Sequence, residues 1–315
     1  MELLLLSRGE VESLLDVGEL LEGLEGGFIA LSEGKVQAPP RSEVSVPGAG
    51  NLLLKPAWLP GHPMTVKLVS TFVGNSDRGL PTIQALITLV DPATGTPQAV
   101  MDGSYITAMR TAASAALSAR CLARRDARVL AIIGAGVQGQ AHLKLLPRVR
   151  EFDEIRIASL RFTDSQTLAA ADVRAHACES YQEAVHGADV VCLCTTSVTP
   201  VISIDWLSPG AHVTSVGYAP PGGELPIEVV MQGRLVVESR LAFEPPPTGC
   251  GELTGLDPAM GTELGALLSG KAAARASDTE LTVFKSMGHA MEDMVAADIV
   301  YRNALQRGIG RRASL

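Results

Sequence analysis

The sequence lacks long apolar runs and contains few aromatic or charged residues. Among its 315 residues, aromatic side chains make up 4% and charged ones 19%, whereas hydrophobic residues reach 46%. This composition excludes a disordered, charge-rich chain and predicts a folded protein with a mainly aliphatic core. No apolar run approaches the roughly 18 residues of a membrane helix, so we expect no membrane partner.

Basic residues are outnumbered, and the residue spacings of common metal sites are missing. The 26 Lys and Arg residues face 34 Asp and Glu residues, and the resulting charge of −8 excludes nucleic acid as a partner because a polyanion is repelled. Five cysteines without a CxxC pair, and six histidines without an HExxH motif, predict no metal site. The first residues, MELLLLSRGE, lack the basic start of a signal peptide. We therefore expect reduced thiols and a cytoplasmic location.

The pattern of the chain changes near residue 108. Apolar residues recur at helical spacing over residues 7–34, as one broken helix or two short ones, with Ser7 and Asp16 as candidate N-caps. Strand patterns fill residues 44–101, and DPATG favours a hairpin, so this part is α+β with an antiparallel sheet. Beyond it, near-continuous apolar strands alternate with helices, which predicts a parallel sheet covered on both faces. The fold class is therefore α/β, a Rossmann-type doubly wound parallel sheet plus a second α+β domain.

A glycine-rich motif follows the first strand of the second part. Gly134, Gly136 and Gly139 in GAGVQG come after the strand VLAII and open a helix, which is the context of a dinucleotide-binding loop. Glycine permits the tight turn and lets a pyrophosphate reach the backbone amides at the helix N-terminus. The motif, with Val137 and Gln138 between its glycines, predicts a nucleotide site; the alternative is a purely structural turn.

The end of the next strand lacks the acidic residue typical of NAD enzymes. Ser159 and Arg161 stand there, and without a carboxylate to repel a 2′-phosphate, NADP is favoured, with NAD as the alternative. Arg161 is alternatively a solvated loop cation. Thr195 and Thr196 end the strand DVVCLCT where a bound cofactor would pass, unless they are ordinary hydroxyls at a strand end.

Three stretches resemble one family over nearly the whole chain. They are TVKLVSTF, the segment DPATGTPQAVMDGSYITAMRTAA with the following GAGVQ, and LTVFKSMGHAMEDMVAA. Together they resemble the ornithine cyclodeaminase and mu-crystallin family, whose members include ketimine reductases, alanine dehydrogenases and deaminating cyclases. The resemblance implies a homodimer. It also implies a substrate-binding and dimerisation domain formed by residues 1–107 with 289–315, and a Rossmann dinucleotide-binding domain formed by residues 108–288.

The family's motif positions imply a site for the carboxylate of a small amino or imino acid. Lys67, within a strand, faces either solvent or a cleft where its charge is compensated, and Arg110 is expected to open a helix. The resemblance makes Arg41, Lys67 and Arg110 a carboxylate clamp, with Lys67 also the proton donor or electrostatic partner of the imine nitrogen. By composition alone, each is a solvated cation. The same match places three hydroxyl residues near cofactor or substrate: Thr82, Thr111 and Ser286.

The loop after the strand HVTSVG departs from the family pattern. The cyclodeaminases and alanine dehydrogenases that the chain resembles have an aspartate two residues beyond the glycine, where this chain has Ala219. Ala219 cannot transfer a proton, and Glu224 is expected to be a solvated loop acid rather than its substitute. Glu292 and Asp293 are expected to stabilise the positive end of the last helix dipole. The loop 244–256 supplies no identified site residue.

These features predict an NAD(P)H-dependent reductase of a small α-imino acid, such as the cyclic ketimines pyrroline-2-carboxylate or piperideine-2-carboxylate. Reduction of a preformed imine needs only hydride, a carboxylate grip and one proton source, so the missing aspartate does not prevent it. The alternatives are a cyclodeaminase-type lyase that uses bound NAD, an alanine dehydrogenase-like enzyme, and a ligand-binding protein with vestigial catalysis.

Overall fold

The structure is a computed structural model of the chain that describes residues 2–314, apart from the side chain of Ser76. The strands are β1 Glu2–Leu6, β2 Ser42–Val46, β3 Gly50–Ala57, β4 Met64–Thr71, β5 Ile83–Val90, β6 Pro97–Asp102, β7 Val129–Ile133, β8 Glu154–Ala158, β9 Ala175–Ala177, β10 Val190–Leu193, β11 His212–Ser215, β12 Arg234–Val237, β13 Thr262–Glu263, β14 Thr282–Lys285 and β15 Arg311–Ser314. The helices are α1 Arg8–Leu14, α2 Val17–Ser32, α3 Ser104–Leu122, α4 Val137–Leu145, α5 Phe162–Ala169, α6 Tyr181–Val185, α7 Ile227–Gln232, α8 Leu264–Leu268 and α9 Ala290–Arg307. Among the described residues, no helix has both the length and the apolar character needed to cross a membrane.

The chain divides into two compact units. The first unit contains the chain up to Arg110 and the segment from His289 onward, and the second is Thr111–Gly288. The N-terminal helical pattern forms two helices in the first unit. Their start is fixed by side chains, since Glu10 accepts a hydrogen bond from the Ser7 amide at 2.7 Å and Asp16 accepts one from the Glu19 amide at 2.9 Å.

The first unit is built on a seven-stranded sheet with the order β15-β1-β6-β5-β4-β3-β2. Its neighbours pair antiparallel except β1 and β6, so the leucine run at the N-terminus becomes a strand between β15 and β6. Along β3 and β4 every second side chain is buried, and α9 packs against this part of the sheet. Side chains on this face of β3 and β4 are therefore enclosed between the sheet and α9.

The second unit contains an eight-stranded parallel sheet with the order β13-β12-β14-β11-β10-β7-β8-β9. From β7 the chain first adds β8 and β9 on one side and then returns to add β10 and β11 on the other. Ligands bind at such a reversal point, at the carboxyl ends of the strands. The predicted fold class, a Rossmann-type parallel sheet with a second α+β unit, is confirmed.

Candidate active site

Three buried cations converge on one carboxylate in the first unit. Lys67, only 1% exposed, donates from Nζ to Asp293 Oδ1 at 2.6 Å and to Thr107 Oγ1 at 3.2 Å. Arg110 Nε donates to Asp293 Oδ1 at 3.0 Å, and Lys55 Nζ lies 3.2 Å from Asp293 Oδ2. Lys67 thus faces the interior with its charge compensated, which was one of the two alternatives left by the strand pattern.

The strand register and the start of α9 explain this convergence. Lys55 and Lys67 are direct partners in the antiparallel pair β3–β4, so both side chains leave the same face of the sheet. At the start of α9, the Glu292 carboxylate accepts a hydrogen bond from the His289 amide at 2.5 Å and another from Arg110 Nη1 at 3.3 Å. Asp293 follows directly and points its carboxylate at the lysines.

Two expectations about this cluster are wrong. Asp293 does more than stabilise the helix dipole, because it is buried and forms ion pairs with three cations. Glu292 closes the first turn of α9 and also forms an ion pair with Arg110. Arg110 does not open a helix, since α3 begins at Ser104 and places Arg110 in its second turn. Just before α3, Asp102 accepts a hydrogen bond from the Tyr105 amide at 2.9 Å and so binds a backbone amide in the first turn of this helix.

Arg41 belongs to the same cluster. It precedes β2 and is half-buried. Burial lowers the pKa of Lys55, Asp293 opposes this effect, and the positive charges of Arg110 and Arg41 lower the pKa further. Of the three cations that the family motifs implied, the structure joins Lys67 and Arg110 at Asp293 and adds Lys55, while Arg41 is near enough for its charge to act on Lys55. The sequence contains one indication of Lys55: it alternates with apolar residues in NLLLKPA, as Lys67 does in TVKLV.

Burial shifts the proton affinities of the cluster. Removal from water lowers the pKa of Lys67 well below its ordinary value, and Asp293 opposes this effect only in part. Burial raises the pKa of Asp293, but the neighbouring Lys55, Lys67 and Arg110 together outweigh it, so that pKa lies below its usual range. Burial also lowers the pKa of His289 to about 4, so this side chain is neutral at neutral pH. Lys67 is consequently a stronger acid than a solvated lysine, which suits a proton donor.

The glycine loop of the second unit fits a dinucleotide. Gly134 has φ +109°, and a Cβ there would lie 2.6 Å from the Cys194 carbonyl oxygen, while a Cβ at Gly139 would collide with the Gly134 carbonyl. Gly136 is different, because no atom lies within 4 Å of the place where its Cβ would be. The Gln138 Oε1 atom is buried without a hydrogen-bond partner among the described residues. The loop is thus tight at Gly134, which lies against the end of β10, and at Gly139, which lies against Gly134, and it is open at Gly136, at the N-terminus of α4.

Substituting Gly136 with alanine tests this loop. Its φ of −78° is ordinary for alanine, so Gly136→Ala should keep the melting temperature of the protein. The added methyl group should block close approach of the pyrophosphate and raise the Kd for NADH or NADPH by about tenfold or more. Fluorescence titration measures this affinity, and Gly26→Ala, an equally open position in α2, is the control. Equal affinity of the two variants would argue against phosphate binding at this loop.

Glu224 is not the solvated loop acid that the sequence suggests. It is fully buried, and its Oε2 accepts hydrogen bonds from the backbone amide and the Oγ1 of Thr195 at 2.6 and 2.7 Å. Its Oε1 accepts from the Gly217 amide at 2.7 Å and from Ser215 Oγ at 3.0 Å. The loop after β11 folds back because amides at the ends of β10 and β11 need acceptors. Glu224 therefore holds two strand ends together, and four donors already occupy its oxygens.

The loop 244–256, for which no role is predicted from the sequence, is anchored at the carboxyl ends of strands in the same sheet. Its Glu252 carboxylate lies 2.7 Å from the buried ammonium of Lys285, at the end of β14. Lys285 also donates to the Gly217 carbonyl at 2.8 Å and to Ser215 Oγ at 3.1 Å. Sequence patterns missed this ion pair because its partners are 33 residues apart.

The other residues predicted to contact the cofactor or the substrate differ in burial and in their hydrogen-bond partners. Ser286, directly after β14, is buried and donates to Glu238, and Thr111 is buried in α3. Thr196 is exposed, and Thr82 is half-buried in the first unit. The Arg161 side chain is 77% exposed, with its Nη2 atom 2.8 Å from Asp164 Oδ2. Ser159 Oγ donates to the Arg161 carbonyl at 2.7 Å.

Comparison with known proteins agrees with these features. The sequence model of the ornithine cyclodeaminase/mu-crystallin family matches residues 1–308. Ketimine reductase mu-crystallin of Mus musculus is 38% identical over 306 residues, which are 94% of this chain and 96% of that relative. The solved structure of Thermococcus litoralis Delta(1)-pyrroline-2-carboxylate reductase, in complex with NADH and L-proline, has a TM-score of 0.92 and 33% identity and covers 98% of this chain and 99% of that chain. An archaeal alanine dehydrogenase dimer with bound NAD has a TM-score of 0.92 and 32% identity, with 100% of both chains covered. The resemblance carried by the sequence motifs is confirmed, and the chain belongs to the ornithine cyclodeaminase/mu-crystallin family.

Proposed function

We propose that the protein is an NAD(P)H-dependent reductase that converts a small α-imino acid into the amino acid. Cyclic ketimines such as pyrroline-2-carboxylate and piperideine-2-carboxylate are the candidate substrates. The observation that carries this proposal is the buried cluster in which Lys67 and Arg110 share Asp293 with Arg41 nearby. Similarity to a ketimine reductase and to a pyrroline-2-carboxylate reductase supports it.

The cluster provides two of the three requirements of imine reduction. Arg41 and Arg110 bind the substrate carboxylate, Arg110 by a planar guanidinium that α3 and Glu292 hold in place. Lys67 donates a proton to the imine nitrogen, which makes the attached carbon more electrophilic, and Asp293 keeps its ammonium oriented. A bound nicotinamide dinucleotide supplies the hydride. The carbon gains the hydride, the nitrogen gains the proton, and the C=N double bond becomes a single bond.

The cofactor-binding residues lie in the second unit. The proposed pyrophosphate-binding loop contains Gly134, Gly136, Val137, Gln138 and Gly139, at the N-terminus of α4. The proposed further contacts of the cofactor or substrate are Thr82, Thr111, Thr195, Thr196 and Ser286. Related structures hold NAD or NADH, which supports a nicotinamide dinucleotide. For this chain we propose a preference for NADP, because Ser159 and Arg161 replace the usual acid after β8.

Arg161→Ala tests the preference for NADP. Arg161 is exposed and pairs with Asp164 at the surface, so its loss should cost little stability. It should raise the KM for NADPH by about tenfold, because a 2′-phosphate loses its cationic partner, and leave the KM for NADH nearly constant. Arg174→Ala, which removes another arginine paired with a neighbouring aspartate in this unit, is the control. Equal changes of both KM values for Arg161→Ala would remove the case for phosphate recognition.

We further propose that the first unit forms a homodimer and that the protein acts in the cytoplasm. The relative that forms an alanine dehydrogenase dimer supports the assembly, as does the exposure of every residue of β2, where Val44 is 59% and Val46 49% exposed. None of the five cysteines, all within the described residues, forms a disulfide, in agreement with a reducing compartment.

A spectrophotometric panel tests the function. NADPH or NADH oxidation is followed with pyrroline-2-carboxylate, piperideine-2-carboxylate, and pyruvate with ammonia, while ornithine is assayed for ammonia release. We expect one cofactor oxidised for each cyclic amino acid formed. Ammonia release from ornithine without net cofactor change would instead establish a deaminating cyclase. Cofactor and imine binding without turnover would establish a ligand-binding protein.

A further inference from the structure

Lys67 has one N–H group for which the described residues provide no acceptor. An ammonium group carries three N–H donors. Asp293 Oδ1, at 2.6 Å, accepts from one of them, and Thr107 Oγ1, at 3.2 Å, accepts from a second. Because the lysine is only 1% exposed, the third donor does not face bulk water. Buried donors are generally hydrogen-bonded, so the third N–H group is available for a ligand.

The hydroxyl hydrogen of Thr107 is directed away from Lys67. Thr107 lies in the first turn of α3, where its Oγ1 donates to the Gly103 carbonyl oxygen at 2.7 Å. The Thr107 amide donates to the same oxygen at 2.9 Å. A hydroxyl group has one hydrogen and two lone pairs, so Oγ1 can only accept from Lys67 while this bond is made. The structure thus presents Thr107 to the lysine as a fixed hydrogen-bond acceptor.

We propose that Thr107 is a positioning residue for the proton donor Lys67. Thr107 and Asp293 hold two N–H groups of the ammonium, and the tetrahedral geometry of the nitrogen directs the third at the imine nitrogen of the substrate. This inference rests on the proposed function and adds to it a residue that acts through Lys67 rather than by contact with the substrate.

A threonine that can only accept also suits the state that follows proton transfer. The N–H bond of Lys67 breaks, the proton joins the imine nitrogen, and Lys67 is left as a neutral amine with one lone pair. Because the Thr107 hydroxyl hydrogen is bound to the Gly103 carbonyl oxygen, Thr107 does not donate to this lone pair. The lone pair stays directed at the product nitrogen, and a proton from solvent restores the ammonium before the next turnover.

Thr107 also favours the charged form of Lys67. Burial lowers the pKa of Lys67, Asp293 opposes this effect, and the neighbouring cations Lys55 and Arg110 lower the pKa further. A hydrogen bond accepted from the ammonium stabilises its charged form and acts in the same direction as Asp293. Loss of the Thr107 hydroxyl group should therefore lower the pKa of Lys67 below its value in the wild-type protein.

Thr107→Val tests this role, because valine keeps the branched shape of threonine and removes the hydroxyl group. We expect kcat for reduction of pyrroline-2-carboxylate to fall by about tenfold, and the basic limb of its pH profile to move down by about one pH unit. The Kd for NADPH or NADH should not change. Thr107→Ser, which keeps the hydroxyl group, should restore the wild-type profile. An unmoved profile in Thr107→Val would overturn the inference whatever the change in kcat, since a purely structural defect lowers activity without moving it.

Thr167→Val is the matched control. Thr167, in α5 of the second unit, makes the same hydrogen bond, from its Oγ1 to the Thr163 carbonyl oxygen four residues earlier at 2.8 Å, but is exposed. We expect this variant to keep the kcat and the pH profile of wild type. Changes equal to those of Thr107→Val would assign the effect to the bond within the helix and overturn the inference.

Direct titration of Lys67 separates this inference from the proposed function. The lysine Nζ atoms are labelled with ¹⁵N, the Lys67 signal is assigned by its absence in Lys67→Met, and its pH dependence is followed by NMR without substrate. We expect the pKa of Lys67 to lie about one pH unit lower in Thr107→Val than in wild type or Thr107→Ser. A lower pKa without turnover of any imine would support the role of Thr107 and refute the reductase. Turnover with an equal Lys67 pKa in wild type and Thr107→Val would refute the role of Thr107 alone.

Discussion

Lys67→Met is expected to lower kcat for imine reduction by about 10²–10⁴-fold, the usual effect of removing a general acid. The side chain is buried, contacts Asp293 and Thr107, and its pKa is lowered by burial, which supports its proposed role as the proton donor. Affinity for NADH or NADPH should stay the same, because the proposed nucleotide-binding loop lies in the second unit. Steady-state kinetics and cofactor titration measure the two effects separately.

The control for this substitution is Lys35→Met, which removes an exposed lysine of the same unit. The pH profile provides an independent check on Lys67. Activity requires its protonated form and should be lost as the pH rises through its pKa, which burial moves below the value near 10.5 of a solvated lysine. A kcat within threefold of wild type in Lys67→Met would assign the proton to another group.

Asp293→Asn is expected to lower the free energy of unfolding by about 3–5 kcal/mol, because it leaves Lys55, Lys67 and Arg110 buried without their shared carboxylate. Urea unfolding followed by circular dichroism measures the change. Asp298→Asn, in the same helix, is the matched control. Its carboxylate is nearly buried, but its partners His62 and Arg302 reach solvent and no buried cation depends on it, so the loss should stay below about 1 kcal/mol.

The pH dependence of this difference in the free energy of unfolding follows from the lowered pKa of Asp293. A carboxyl group whose pKa is lowered by folding contributes all of its stability above its unfolded pKa, near 3.9, and loses it only as the pH falls through the lower folded value. The pKa of Asp293 is lowered in this way. Titration of Asp293 itself should thus not change the difference in the free energy of unfolding between wild type and Asp293→Asn from pH 7 to pH 5. A difference in the free energy of unfolding below about 1 kcal/mol at both pH values would show that the cluster is not a buried ion network.

Local patterns predicted most of the parallel sheet and its glycine loop. The strand around VLAII is apolar over its whole length and ends at Gly134, a glycine whose positive φ and close approach to Cys194 require that residue type. Such information lies within a few neighbouring residues and can be read directly from the chain. The N-caps Ser7 and Asp16 are further examples. Ser7 donates from its amide and its hydroxyl to the Glu10 carboxylate, and Asp16 accepts a hydrogen bond from the Glu19 amide, so each partner is three residues away.

Long-range pairing explains what the sequence patterns could not provide. Lys55 and Asp293 are far apart in the sequence and meet only because the β3–β4 register and the start of α9 bring them together. Glu224 looks like a loop acid until the chain folds back onto the ends of β10 and β11. A pattern also cannot tell a solvated cation from a buried one, which is why the clamp depended on family motifs rather than on spacing.

Transfer of deuterium from the cofactor tests the central proposal most directly. The protein is incubated with pyrroline-2-carboxylate and NADPH or NADH that carries deuterium at both hydrogens of nicotinamide C4, and the product is analysed by mass spectrometry. We expect proline one mass unit heavier, with deuterium on the α-carbon and one cofactor oxidised for each proline. Unlabelled proline, or proline formed only from ornithine with ammonia release and no net cofactor oxidation, would contradict the proposed imino acid reductase.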